Sequence, residues 1–91
     1  MKNPFLHIGN DNYVNLDKVI LITAANADKV RKYRADRGID KNSSLYFNCS
    51  SDKETRSMIL LDGGAVYTSS VRAKVLNSRA KNAQDPKAET E

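Results

Sequence analysis

Fifteen lysines and arginines are the chemistry this sequence offers in quantity. They stand against eleven carboxylates, for a net charge of +4. Five of them, Lys29, Arg31, Lys32, Arg34 and Arg37, lie close together in one segment. Lys18, Lys53, Arg56, Arg72, Lys74 and Arg79 are spread between apolar runs. Such groups suit anionic partners, and they make a nucleic-acid site only where folding gathers them on one surface. A merely solvated face is the plain alternative. Other chemistry is sparse. His7 has no acid beside it, and one histidine with one cysteine cannot close a zinc site. Cys49 alternates with Leu45 and Phe47, which reads as a small residue packed in a core. Gly63-Gly64 lacks the spacing of a phosphate loop. The aspartates fall in turns and caps, with no pair spaced for general acid–base work. The expectation is a protein that is not an enzyme and needs no metal or cofactor.

The elements that must position these cations follow from hydrophobic pattern. Phe5-Leu6-His7-Ile8-Gly9 reads as a strand and Asn10-Asp11-Asn12 as a turn, because short Asn and Asp side chains tolerate left-handed backbone. Tyr13-Val14-Asn15-Leu16 resumes an extended pattern. Val19-Ile20-Leu21-Ile22-Thr23 is an unbroken apolar run, which predicts a central strand covered on both faces and opened by Lys18. Asn26 is placed to cap a helix over 27–37 that stops at Gly38. Ala27, Val30 and Tyr33 share one face of it, opposite Lys29, Lys32 and Asp36, while Arg34 and Arg37 fall beside the apolar arc. Those two arginines either lay their stems along the protein or meet another subunit. Leu45 to Ser50 and Arg56 to Leu61 read as strands, and Asp62-Gly63-Gly64 as a hairpin turn into Ala65–Ser69. Ser69 or Ser70 is expected to cap a last helix ending near Arg79. The sum is an α+β fold, with a small, mostly antiparallel sheet and two helices.

Ninety-one residues make one domain with a modest core. The expected bounds are 1–79 for the domain and 80–91 for a disordered polar tail. That tail holds two lysines against three carboxylates, a sum of −1, so residues 1–79 carry +5 and the whole chain +4. No apolar run approaches the ~20 residues of a membrane span, and no signal-peptide pattern follows the N-terminus. The lone cysteine fits a reducing, cytoplasmic compartment. A domain this small gains from self-association.

Taken in order, these segments resemble the RemA family, the extracellular matrix regulatory proteins of biofilm-forming bacteria. The resemblance is carried by four pieces. They are Phe5-Leu6-His7-Ile8-Gly9 with Asn12, Val14, Lys18 and Ile20-x-Ile22; the helix ending Arg37-Gly38; Thr55-Arg56 leading into Met58-Ile59-Leu60-Leu61-Asp62; and Val66-x-x-Ser69-x-Val71. It spans residues 5 to about 79. It implies a homo-oligomeric closed ring that binds duplex DNA on a basic outer surface and activates matrix genes. Lys18 stands at one of the family's arginine positions for DNA, and Lys53-Glu54 at an Arg-Arg pair. Lys keeps the charge at 18 without the bidentate fork, and Glu54 would repel a phosphate. The expected DNA contacts are therefore Lys18, Lys53 and Arg56, with Lys29 and Lys32 behind them, and Arg34 and Arg37 at subunit contacts. The alternative is an oligomeric module that binds a protein or a small anion where subunits meet.

Overall fold

The computed structural model describes residues 5–50 and 52–84. Strand β1 (Phe5–Gly9) turns back into β2 (Asn12–Asn15) as a separate two-stranded sheet. Asn10 and Asp11 sit at the tip with positive φ, 51 and 61 degrees, the left-handed pair that matches hairpin twist. A single turn of 3₁₀ helix, Leu16–Lys18, leads into β3 (Val19–Ala24). Helix α1 (Ala27–Arg37) follows, then β4 (Tyr46–Asn48), β5 (Ser57–Leu61), β6 (Val66–Ser69) and α2 (Ala73–Gln84).

The second sheet has the order β3-β5-β6-β4. β5 runs antiparallel to both neighbours, and β4 runs parallel to β6. β3 and β4 therefore point the same way from opposite edges, and α1 is the crossover that joins them. The sheet is mixed: mostly antiparallel, as the strand pattern suggests, with β4–β6 as a parallel pair. Its central strand is β5. The apolar run of β3 lies at an edge, with Ile20 67% and Leu21 48% exposed, so it is not covered on both faces within one chain. A shift of register between Val19 and Leu21 pushes Ile20 out of the ladder.

Two cores follow from the alternation of side chains along β5 and β6. Ile59 and Tyr67 face the β1–β2 hairpin and α2, where Leu6, Ile8, Val14, Leu16, Cys49 and Leu76 close the larger cluster. Met58, Leu60 and Val66 face α1, packing with Ala25, Val30 and Ile39. Leu45 and Phe47 are more exposed than their alternation with Cys49 suggests; Phe47 stacks on Tyr67 with ring centroids 4.5 Å apart.

The bounds of α1 are those its sequence predicts. Asn26 Oδ1 accepts from the Lys29 amide, and Gly38 takes the left-handed cap with a φ of 69 degrees. Asn26→Ala is expected to cost about 1 kcal/mol, read as a lower midpoint in urea at unchanged slope. α2 begins later than a Ser69 or Ser70 cap would place it, because Ser69 is engaged elsewhere. Its hydroxyl donates to the Ile8 carbonyl and accepts from the Val71 amide, tying β6 to the hairpin. Nearby, Gly9 has a left-handed backbone, and a Cβ there would stand 3.1 Å from Val71 Cγ2. α2 also continues through Gln84, with Ala80 and Ala83 against the larger core, so residues 80–84 are helix. The rest of the expected tail lies outside the described residues.

Candidate nucleic-acid interface

The topology brings several chain segments to one end of the sheet. β3, β4 and β6 finish there, β5 begins there, and both helices start there. Backbone bonds hold the junction: the Ala25 amide donates to Arg56 O at 3.1 Å, and the Arg56 amide to Ser69 O at 2.8 Å. The result is an open groove of about 510 Å³. Lys29 from α1, Arg56 from the start of β5, and Arg72 and Lys74 from the start of α2 all line it, with Glu54 and Thr55.

Four cations face one carboxylate in this groove. Glu54 Oε2 lies 3.6 Å from Arg56 Nη2, a long and solvated pairing that offsets one charge in part. Lys29 and Lys74 sit in the first turns of their helices, where the positive end of the dipole opposes an ammonium group. The arrangement favours an anion over a further cation. What it can do chemically is hold phosphate oxygens through charge-assisted hydrogen bonds.

The structure brings together only part of the expected site. Lys29 and Arg56 line the groove; exposed Lys53 lies in the turn that leads into Glu54. Lys32 is exposed further along α1 and does not line it. Lys18 lies at the opposite end of β3, where its carbonyl accepts from the Asp62 amide. The whole of β3 separates that end from the groove. At the usual rise of an extended chain, that is roughly 20 Å. Arg72 and Lys74 are the groove residues that sequence reasoning missed. A signal for them existed: an antiparallel hairpin through Gly63-Gly64 must return the end of β6 to the start of β5.

Arg34 and Arg37 both lie over rings of their own chain. The Arg34 guanidinium sits 4.2 Å from the centroid of Tyr46, and that of Arg37 4.9 Å from Tyr33. Cys49 is buried in the larger core, and burial pushes its thiol above the ordinary value, which disfavours the thiolate a nucleophile needs. The same burial, with Cys49 nearby, raises Tyr67. His7 is half-buried and packs at a tilt on Tyr13, 4.9 Å between centroids. Among the described residues, no group of acidic, His and Cys side chains could hold a metal, and no helix is long and apolar enough to cross a membrane.

Comparison with known proteins agrees with the order of these segments. The model of the RemA-like family, described as extracellular matrix regulatory protein A-like, matches residues 5–80. A protein of Leptospira biflexa serovar Patoc, named only as a candidate regulatory protein, is 25% identical over 76 residues. The aligned stretch covers 84% of this chain and 78% of that protein.

Proposed function

The chain belongs to the RemA-like family, and we propose on that footing that it is a cytoplasmic regulator of gene expression, of the matrix and biofilm type, that binds duplex DNA through its phosphates. The observation that carries this reading is the convergence of Lys29, Arg56, Arg72 and Lys74 on one groove. Lys53 extends the surface from the neighbouring turn, and Lys18 supplies an outlying contact. Asn26 also lines the groove, but its side-chain oxygen is committed to the Lys29 amide and cannot join a bidentate contact to a base edge. The cations of the groove supply contacts to phosphates, which follow charge and backbone spacing.

Self-association completes the proposal. The exposed Ile20 and Leu21 lie on an unpaired strand edge, the combination that proteins cover with another chain. A head-to-tail contact there closes into a ring if the rotation per subunit allows it. A ring multiplies a weak phosphate site, because each further groove binds the same duplex at high effective concentration.

The test is duplex binding by fluorescence anisotropy across a salt series, with light scattering for the size of the particle. Four phosphate contacts per subunit, one from each groove cation, predict a slope of log affinity against log salt of about −3.6, steeper where several subunits engage. No binding at low salt, or binding indifferent to salt, would sink the DNA reading. A module that binds a protein or small anion at subunit contacts would then be preferred, the reading that Glu54 in the groove favours.

A further inference from the structure

We infer that a small cavity between α1 and β4 is a binding site for a phosphoryl group, free or carried on a small molecule. The cavity adjoins the groove, sharing Thr55 with it, and measures about 180 Å³. Arg31 and Arg34 reach it from one stripe of α1, Lys41 from the following loop, Tyr46 and Asn48 from β4, and Thr68 from β6. Among the described residues, no carboxylate lines it.

The polar groups around it divide into those already engaged and those with capacity left. Asn48 Oδ1 accepts from the Ser50 amide at 3.1 Å and from Thr68 Oγ1 at 2.7 Å. These two bonds fix the amide plane and leave Nδ2 as its remaining donor. The Thr68 hydroxyl hydrogen is spent on that bond, while its oxygen accepts from the Cys49 amide and Ser50 Oγ. Arg31 is paired with Asp28. Arg34 and Lys41 have no acidic partner among the described residues.

Arg34 is the informative residue. It lies over the Tyr46 ring, and its Nη1 donates to the Ile39 carbonyl at 3.3 Å. Its Nε is buried and has no hydrogen-bond partner. Buried donors are nearly always paired, and an orphaned one calls for an acceptor. A phosphoryl oxygen in the cavity that Arg34 lines would supply that acceptor. Two uncompensated charges match a phosphoryl group, which carries about −1.5 to −2 at neutral pH, better than a single carboxylate. The volume is below the roughly 300 Å³ at which pockets enclose drug-sized ligands. The site therefore takes a phosphoryl head and a small organic part.

The experiment is a titration of the full chain with inorganic phosphate, and separately with glycerol phosphate, at fixed ionic strength maintained with chloride. Binding is read by NMR at the Asn48 side-chain amide and Arg34 Nε–H. Saturable shifts centred on these groups are expected. Equal affinity for the two probes identifies free phosphate as the ligand, and tighter glycerol phosphate identifies a small organic phosphate; either supports the site. Asn48→Asp keeps the acceptor oxygen and removes the donor, and Lys41→Glu lies in an exposed loop. Each should weaken binding roughly tenfold or more, through the loss of one charge-assisted contact and the repulsion of a new carboxylate. Shifts that never saturate, shifts centred on Lys29, Arg56, Arg72 and Lys74, or unchanged affinity in both variants would overturn the inference.

Discussion

A chain carrying Lys29→Glu and Arg56→Glu is expected to lose about a hundredfold in duplex affinity at moderate salt. Both side chains line the groove, from different elements. Each exposed charge contact is worth about 0.5–1 kcal/mol, and each new carboxylate repels by a similar amount. Four such contributions reach about 2–4 kcal/mol, or between one and three decades of affinity. The salt slope should flatten by about 1.8, since two phosphate contacts are gone. Fold and assembly should survive, because both positions are exposed and neither packs in a core. Two companions sharpen the result. Lys32→Glu, on the same helix but outside the groove, should cost little. Glu54→Gln should tighten binding a few-fold, because it frees Arg56 and removes the one carboxylate in the groove. If Lys32 matters as much as Lys29, the groove is not where the phosphates sit, and overall charge is the operative quantity.

How much of that groove is legible in the sequence depends on topology more than on residue type. The cations are plain. Lys29 and Arg56 stand out as candidate contacts, yet the reason they meet is that α1 starts where β5 starts. That follows from an antiparallel β3–β5 pair, which aligns Ala24 with Ser57. Sequence reading groups Lys18 with them, although it opens the same strand that ends at the groove and so must lie a strand length away. Arg72 and Lys74 escape notice because a last helix that begins at Ser69 or Ser70 would carry them onto a helix flank. The long-range bond from Ser69 to the Ile8 carbonyl delays that start, and a bond between residues so far apart in the chain has no local signature.

The fold divides in the same way. Short-range physics is readable: the Asn26 cap, the Gly38 stop, the Asn10-Asp11 turn and the glycine turn before β6 each depend on a few neighbouring residues. Strand order is not. An unbroken apolar run such as Val19–Thr23 looks the same whether it is central in a sheet or at an edge that another chain covers. β4 is three residues long and pairs parallel to β6 after a helical crossover, and nothing in Tyr46-Phe47-Asn48 announces direction. The extension of α2 to Gln84 rests on Ala80 and Ala83, small residues that register as core only once the hairpin they pack on is in place.

Ile59→Ala is expected to be the most damaging single substitution, with a cost of about 2–5 kcal/mol. Ile59 is fully buried at the middle of β5, the strand bonded on both sides, and its side chain faces the larger core beneath the hairpin and α2. A domain of this size has a total stability of about 5–8 kcal/mol, the lower part of the usual range. The variant should therefore keep about 6 kcal/mol at most, seen as a markedly lower unfolding midpoint in circular dichroism. Ile20→Ala removes the same atoms from an edge residue that is 67% exposed. In an isolated subunit it should change stability by no more than about 0.5 kcal/mol. If β3 is covered by another copy, the loss at Ile20 grows with protein concentration, because assembly stabilises the folded subunit by mass action. The pair of variants thus separates two sources of stability in one sheet. A concentration-independent effect at Ile59 together with a concentration-dependent one at Ile20 places the apolar edge of β3 between subunits. Equal indifference to concentration at both would mean that the exposed edge of β3 is a feature of a monomer.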